Sequence, residues 1–232
     1  MREMELARKL DPRRQDTGLV LGLSGYTVST LSLPLRFLAG VVGLPSNRAE
    51  ALRRLEEAAS PGTETESDAL LLLMVVYNRE GNGSEAAERL GRLQSRFPRN
   101  RLLWLNAAAT AIEARRFDAA EHALEDGLAG RAVDAPPAVT GEHALWLLKR
   151  GTARAALGRA ADAAVDLTRA LTTDPRDWVR ARAHFELAKL AIARLDTAEA
   201  ARQLDLAIEF GRRGGDETTV RGAQTFLKHA RR

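Results

Sequence analysis

The 232-residue chain has no cysteine, which rules out disulfides and thiolate metal sites and leaves the redox compartment open. Aromatic residues make up only 5%, too few for the aromatic and β-branched faces that sheets favour. A strong excess of charge of one sign is also missing. The pI is near 9.9, but 35 basic residues stand against 31 acidic ones for a net charge of +4. Lysine is scarce (Lys9, Lys149, Lys189 and Lys228), so arginine sets the high pI, as in codon usage from a GC-rich bacterial genome. The arginine pairs 115–116, 212–213 and 231–232 are isolated and fall at helix ends, where cations are favoured, so no nucleic-acid partner is expected. A long apolar run is absent too. Gly18–Leu33 is interrupted by Gly, Ser and Thr and followed by Pro34 and Arg36, short of the roughly 20 residues that span a bilayer. No Ala-x-Ala cleavage site follows Met1, Glu3 and Glu5, so no secretory signal is read and a cytoplasmic location is expected.

Catalytic constellations are missing as well. There is no Gly-x-Gly-x-x-Gly, no phosphate loop and no Gly-x-Ser-x-Gly. His122, His143, His184 and His229 lack the paired spacing of a metal site and read as surface or helix-flank residues. Acid pairs such as Glu56-Glu57 and Glu125-Asp126 read as solvated faces of amphipathic helices. No enzyme activity and no cofactor are expected.

What the sequence does contain is a repeat. Counting from the helix-stopping Pro98 and Pro175 gives units over 67–100, 101–134, 144–177 and 181–214. Small residues recur at the eighth, twentieth and twenty-seventh places (Ala108, Gly151 and Ala188; Ala86, Ala120, Ala163 and Ala200; Gly127, Ala170 and Ala207). Large apolar ones recur at the twenty-fourth (Leu90, Leu124, Leu167, Leu204). Small residues let two helices approach closely and large ones fill the space beside the crossing. A Gly near the fifteenth place ends the first helix. Ser84, Asp196 and Asp216 read as N-caps, and Gly211–Gly215 as a stretch between two helices with a left-handed C-cap. In the third unit Arg150 and Arg154 interrupt the apolar pattern and give its first helix a polar flank. The stretch 131–142, with Pro136-Pro137, reads as a surface insertion.

These four units resemble the tetratricopeptide repeat over about 150 residues. The resemblance implies an all-α superhelix (α-solenoid) of helix-turn-helix units. Ahead of it, residues 1–66 read as an apolar helical extension with one degenerate repeat, in pieces Thr17–Ser32, Leu35–Val42 and Asn47–Ala59. Residues 215–232 read as a C-terminal capping helix. Gly22-Leu23-Ser24-Gly25-Tyr26, Leu33-Pro34, Val42-Gly43 and Arg48–Ala59 also resemble bacterial relatives of the Iml2/tetratricopeptide-39 family.

The tetratricopeptide resemblance implies a binding module that receives a protein or peptide partner in the concave groove of its inner helices. On the repeat register that groove comprises Leu71, Val75, Leu105, Asn106, Ala109, Leu148, Lys149, Thr152, Phe185 and Lys189. The carboxylate clamp of chaperone-binding members would need Lys and Asn at the places of Leu71 and Val75, Asn at Asn106, and Lys and Arg at Leu145 and Lys149. Only Asn106 matches by identity and Lys149 by charge, so tight binding of acidic chaperone tails is not expected. Two alternatives stay open: a self-associating homo-oligomer built on the same surfaces, and a membrane-associated adaptor held by residues 18–42.

Overall fold

A computed structural model describes residues 16–41, 47–128 and 140–230, together with Leu6. The described residues form twelve α-helices and no strand. They divide into two compact units, Met1–Pro98 and Arg99–Arg232. Unit 1 holds α1 (Asp16–Ser29), α2 (Leu33–Val41), α3 (Arg48–Ala58), α4 (Glu66–Arg79) and α5 (Gly83–Arg96). Unit 2 holds α6 (Arg101–Glu113), α7 (Phe117–Leu128), α8 (Glu142–Ala156), α9 (Ala160–Thr172), α10 (Asp177–Ala193), α11 (Thr197–Gly214) and α12 (Glu217–Ala230).

In unit 2 the helices pair as α6/α7, α8/α9 and α10/α11, with α12 laid on α10 and α11. The first helices also pack side by side, α6 on α8, α8 on α10 and α10 on α12. This makes them an inner row. In unit 1 α4 pairs with α5, and α1 with α3, leaving α2 in the connection between them.

The crossings are built as the spacing demands. Ala86, Ala120, Ala163 and Ala200 are buried, as are Leu90, Leu124, Leu167 and Leu204 one turn later. A Cβ on Gly151 would come within 2.7 Å of Leu167 Cγ and 3.2 Å of the Ala163 carbonyl. Gly22 stands in the same relation to Leu55 and Ala51, at 2.7 and 3.0 Å, so α1/α3 repeats the geometry of α8/α9. Each buried leucine contributes roughly 1.5–3 kcal/mol relative to exposure.

The turns repeat as well. After α4, α6, α8 and α10 the chain passes through Gly81, Arg115, Gly158 and Leu195, all with positive φ. The next amide donates back to a carbonyl five residues earlier: Asn82 to Tyr77, Arg116 to Ala111, Arg159 to Arg154 and Asp196 to Ala191, at 2.8–3.0 Å. This is the Schellman closure, and glycine suits its left-handed position because it has no Cβ. Leu195 holds φ 61° while remaining 87% exposed, so its side chain returns little packing for the backbone strain. Leu195→Gly should therefore stabilise the fold by about 0.5–1 kcal/mol, and Gly158→Ala should destabilise it by a similar amount. Denaturant midpoints at unchanged slope check both.

Several local readings change. Ser84 lies inside the first turn of α5, whose N-cap position is Asn82, whereas Asp196 does cap α11, accepting from the Glu199 amide at 3.0 Å. Gly215 is the expected left-handed C-cap, but the helix runs further than expected, so that Gly211 is helical and α11 continues to Gly214. A Cβ on Gly211 would come within 2.7 Å of Val220, so that glycine serves the packing of α12. Pro34 lies in the first turn of α2, where its missing amide costs no helical bond. Glu142 opens α8, and residues 131–139 of the expected insertion lie outside the described residues.

Candidate partner-binding face

The expected groove residues divide between the units, Leu71 and Val75 in unit 1 and the other eight in unit 2. Both unit 1 residues are exposed. In unit 2, Asn106, Ala109, Lys149, Thr152, Phe185 and Lys189 are half-buried. Leu105 and Leu148 are not groove residues but core, at 9% and 3% exposure. The reason is the side-by-side packing of inner helices. Leu148 clusters with Val179, Ala183 and Leu190 of α10, and Leu105 with Trp146 and Ala153 of α8. Phe185 is largely taken up as well, lying edge-on to Phe226 of α12 with centroids 5.5 Å apart.

The polar members have different degrees of freedom. Asn106 Nδ2 donates to the Leu102 carbonyl at 2.9 Å, and Thr152 Oγ1 to the Leu148 carbonyl at 2.9 Å. Lys189 Nζ donates to Glu186 at 2.5 Å and lies 5.2 Å from the centre of the Phe185 ring. Lys149 is different. Burial pushes its pKa below the ordinary value, the Arg182 charge on α10 adds to that effect, and Glu113 on α6 opposes it. No carboxylate among the described residues lies within ion-pair distance of its ammonium. Leu102, exposed on α6, and Arg182, exposed on α10, border the same face and were missed in the sequence reading. Both fall at the second place of their units, so the 34-residue register could have found them.

A second polar cluster lies between α7, α8 and α9. Arg150 makes two bonds to the buried Asp166 carboxylate, at 2.8 and 2.6 Å, and Arg154 a third at 2.8 Å. Arg154 Nε also reaches Glu121 Oε1 at 2.8 Å, and Arg159 pairs with the same oxygen. The two arginines expected to give α8 a polar flank are thus turned inward and bind three helices together. The buried His184 also departs from expectation. Its Nδ1 lies 2.6 Å from Gln203 Oε1, its ring stacks on Phe210, and burial lowers its pKa. Among the described residues no three His, Asp or Glu side chains converge as a metal site, and no helix is long and apolar enough to cross a membrane.

The chain is similar to a solved structure, the crystal structure of yeast Tom70, over 98% of its own length, with a TM-score of 0.60 at 16% identity. The fold is a tetratricopeptide-like α-solenoid. The chain spans 42% of the length of that yeast protein. At this identity the likeness carries the architecture alone. No family model and no curated protein matches the chain, and the Iml2/tetratricopeptide-39 resemblance gains no support from these comparisons. The tetratricopeptide-like repeats still give the buried and half-buried positions above a common frame. Equivalent places on α6, α8 and α10 form one face of the inner row.

Proposed function

We propose that the chain is a non-catalytic protein-interaction scaffold, and that a partner segment lies across α6, α8 and α10 in unit 2 with Lys149 as its anchor. The repeat architecture supports the first part, because stacked helix pairs offer an extended face rather than a reaction pocket. Lys149 supports the second. An ammonium that is partly desolvated and has no ion-pair partner among the described residues is costly in the free protein, and a partner carboxylate or carbonyl placed on it would recover part of that cost. The adjoining side chains suit a peptide: exposed Leu102 for an apolar contact, Asn106 and Thr152 as small polar neighbours, and Arg182, whose Nε is held by Asp216 at 2.6 Å, as a fixed second cation. On this reading the protein acts in the cytoplasm and does not bind nucleic acid.

The test is Lys149→Met. It removes an unfavourable charge while keeping the stem, so the free protein should gain about 1 kcal/mol, or roughly 3 °C in melting temperature. Capture of partners on the wild-type chain followed by mass spectrometry supplies the ligand. Titration with that ligand should then show at least tenfold weaker binding for Lys149→Met. The pH dependence has a definite sign. The unfolded chain keeps the lysine proton up to about the ordinary 10.5, whereas the folded chain releases it earlier. Unfolding takes up a proton in that window, and stability therefore rises with pH there. Binding through the ammonium should weaken over the same window. Unchanged partner affinity in Lys149→Met would remove Lys149 as the anchor.

A further inference from the structure

Helix α2 has an inverted arrangement of side chains. A helix lying on its own domain normally turns its large apolar residues inward and its polar ones outward. In α2 only Ala39 is buried, and the single charged residue, Arg36, is half-buried. Leu33, Leu35, Phe37, Leu38 and Val41 are instead 50–77% exposed. Leu33, Phe37 and Val41 recur every four residues, so they form one ridge, with Leu38 beside it. Helix α1 of the same unit adds exposed Val20 and Leu23, and Leu31 follows it in the connection.

We propose that this surface is the interface between two copies of the chain, with the α2 ridges packed across a two-fold axis. Three features favour a second copy. The first is area. Scaled by their exposure, Leu33, Phe37, Leu38 and Val41 offer on the order of 450 Å², and Val20, Leu23 and Leu31 bring the total to about 650 Å², within the range of a stable interface that buries ~600–1,000 Å² per partner. The second is charge. A two-fold interface brings each residue close to its own mate or its mate's neighbours, so a self-associating patch must avoid charge of one sign. The single charge of α2, Arg36, lies off the ridge. The third is the opposite face of the helix. A helix that rests on a bilayer surface carries basic residues on its polar side, whereas α2 turns Ala39 inward and has only Arg36. The proposal is independent of the Lys149 reading, because it concerns a different unit and a different surface.

The absence of cysteine makes the test clean. Phe37 is central in the ridge and lies nearest the axis, so Phe37→Cys in the full chain should form an intermolecular disulfide on mild oxidation. Ser84→Cys, at an exposed position on α5 of the same unit, should not. Multi-angle light scattering at tens of micromolar should give twice the chain mass for the wild type and the single chain mass for Phe37→Glu. Because Phe37 is mostly exposed, Phe37→Glu should keep its helical circular dichroism, and its melting temperature should fall only by the stabilisation that association gives the wild type. A wild-type chain that remains monomeric at that concentration overturns the proposal. So does a Phe37→Glu dimer, or equal cross-linking of the Phe37→Cys and Ser84→Cys variants. Monomeric chain that floats with phosphatidylcholine–phosphatidylglycerol vesicles, and loses flotation in Phe37→Glu, overturns it in favour of a membrane surface.

Discussion

Asp166→Ala should lower the stability of unit 2 by about 3–5 kcal/mol, a large share of the 5–15 kcal/mol that holds a domain folded. The carboxylate is 1% exposed and accepts from Arg150 twice and from Arg154 once. Its removal leaves the Arg150 guanidinium without its carboxylate partner in a poorly hydrated crossing. Arg154 keeps Glu121, so the damage should centre on Arg150. The double variant Arg150→Leu with Asp166→Ala tests this directly. Removing both charges leaves no orphan, and leucine at that place follows the tetratricopeptide pattern. The double variant should therefore melt several degrees above Asp166→Ala alone. A coupling energy near zero in that cycle would mean that the pair contributes nothing beyond its separate residues.

This network also shows where reading the chain stops. The crossings were legible because they depend on residue size at fixed intervals, and Ala120, Ala163 and Ala200 are buried where the spacing puts them. The turn positions were legible where glycine occupies them, at Gly81 and Gly158, and hidden where Arg115 and Leu195 take the same left-handed conformation. Arg150 and Arg154 broke the apolar pattern, and a break alone does not say whether a charge faces water or a hidden acid. Asp166, three places beyond Ala163, looks like any exposed acid of an amphipathic helix. Its burial follows from the approach of α8 to α9, which a one-dimensional register does not contain. The same limit applies to the candidate face. Equivalent repeat places are not equally exposed, because contact between neighbouring inner helices covers Leu105 and Leu148 but leaves Lys149 and Thr152 half open.

That difference gives the second large effect. Leu105→Glu should destabilise unit 2 by on the order of 3–5 kcal/mol, since it loses leucine burial and puts a carboxylate among Trp146, Ala108 and Ala153. Ala120→Leu should also melt early, by about 1–3 kcal/mol, through overpacking at the α6/α7 crossing. Leu102→Glu supplies the contrast. Leu102 lies three residues before Leu105 on the same helix but is 46% exposed, so its replacement should leave the melting temperature within about 1 °C. Thermal melts of the three variants then rank the positions by packing alone, before any partner is added. Recovery of the captured partner is informative only for Leu102→Glu, because Leu105→Glu would lose binding through unfolding. A Leu105→Glu protein that melts like the wild type would mean that α6 and α8 do not pack as described, and would return Leu105 to the open groove. If Leu105→Glu melts early while Leu102→Glu folds normally and loses the partner, the binding face lies along Leu102, Asn106 and Lys149, one helical stripe away from the leucines that the repeat register suggested.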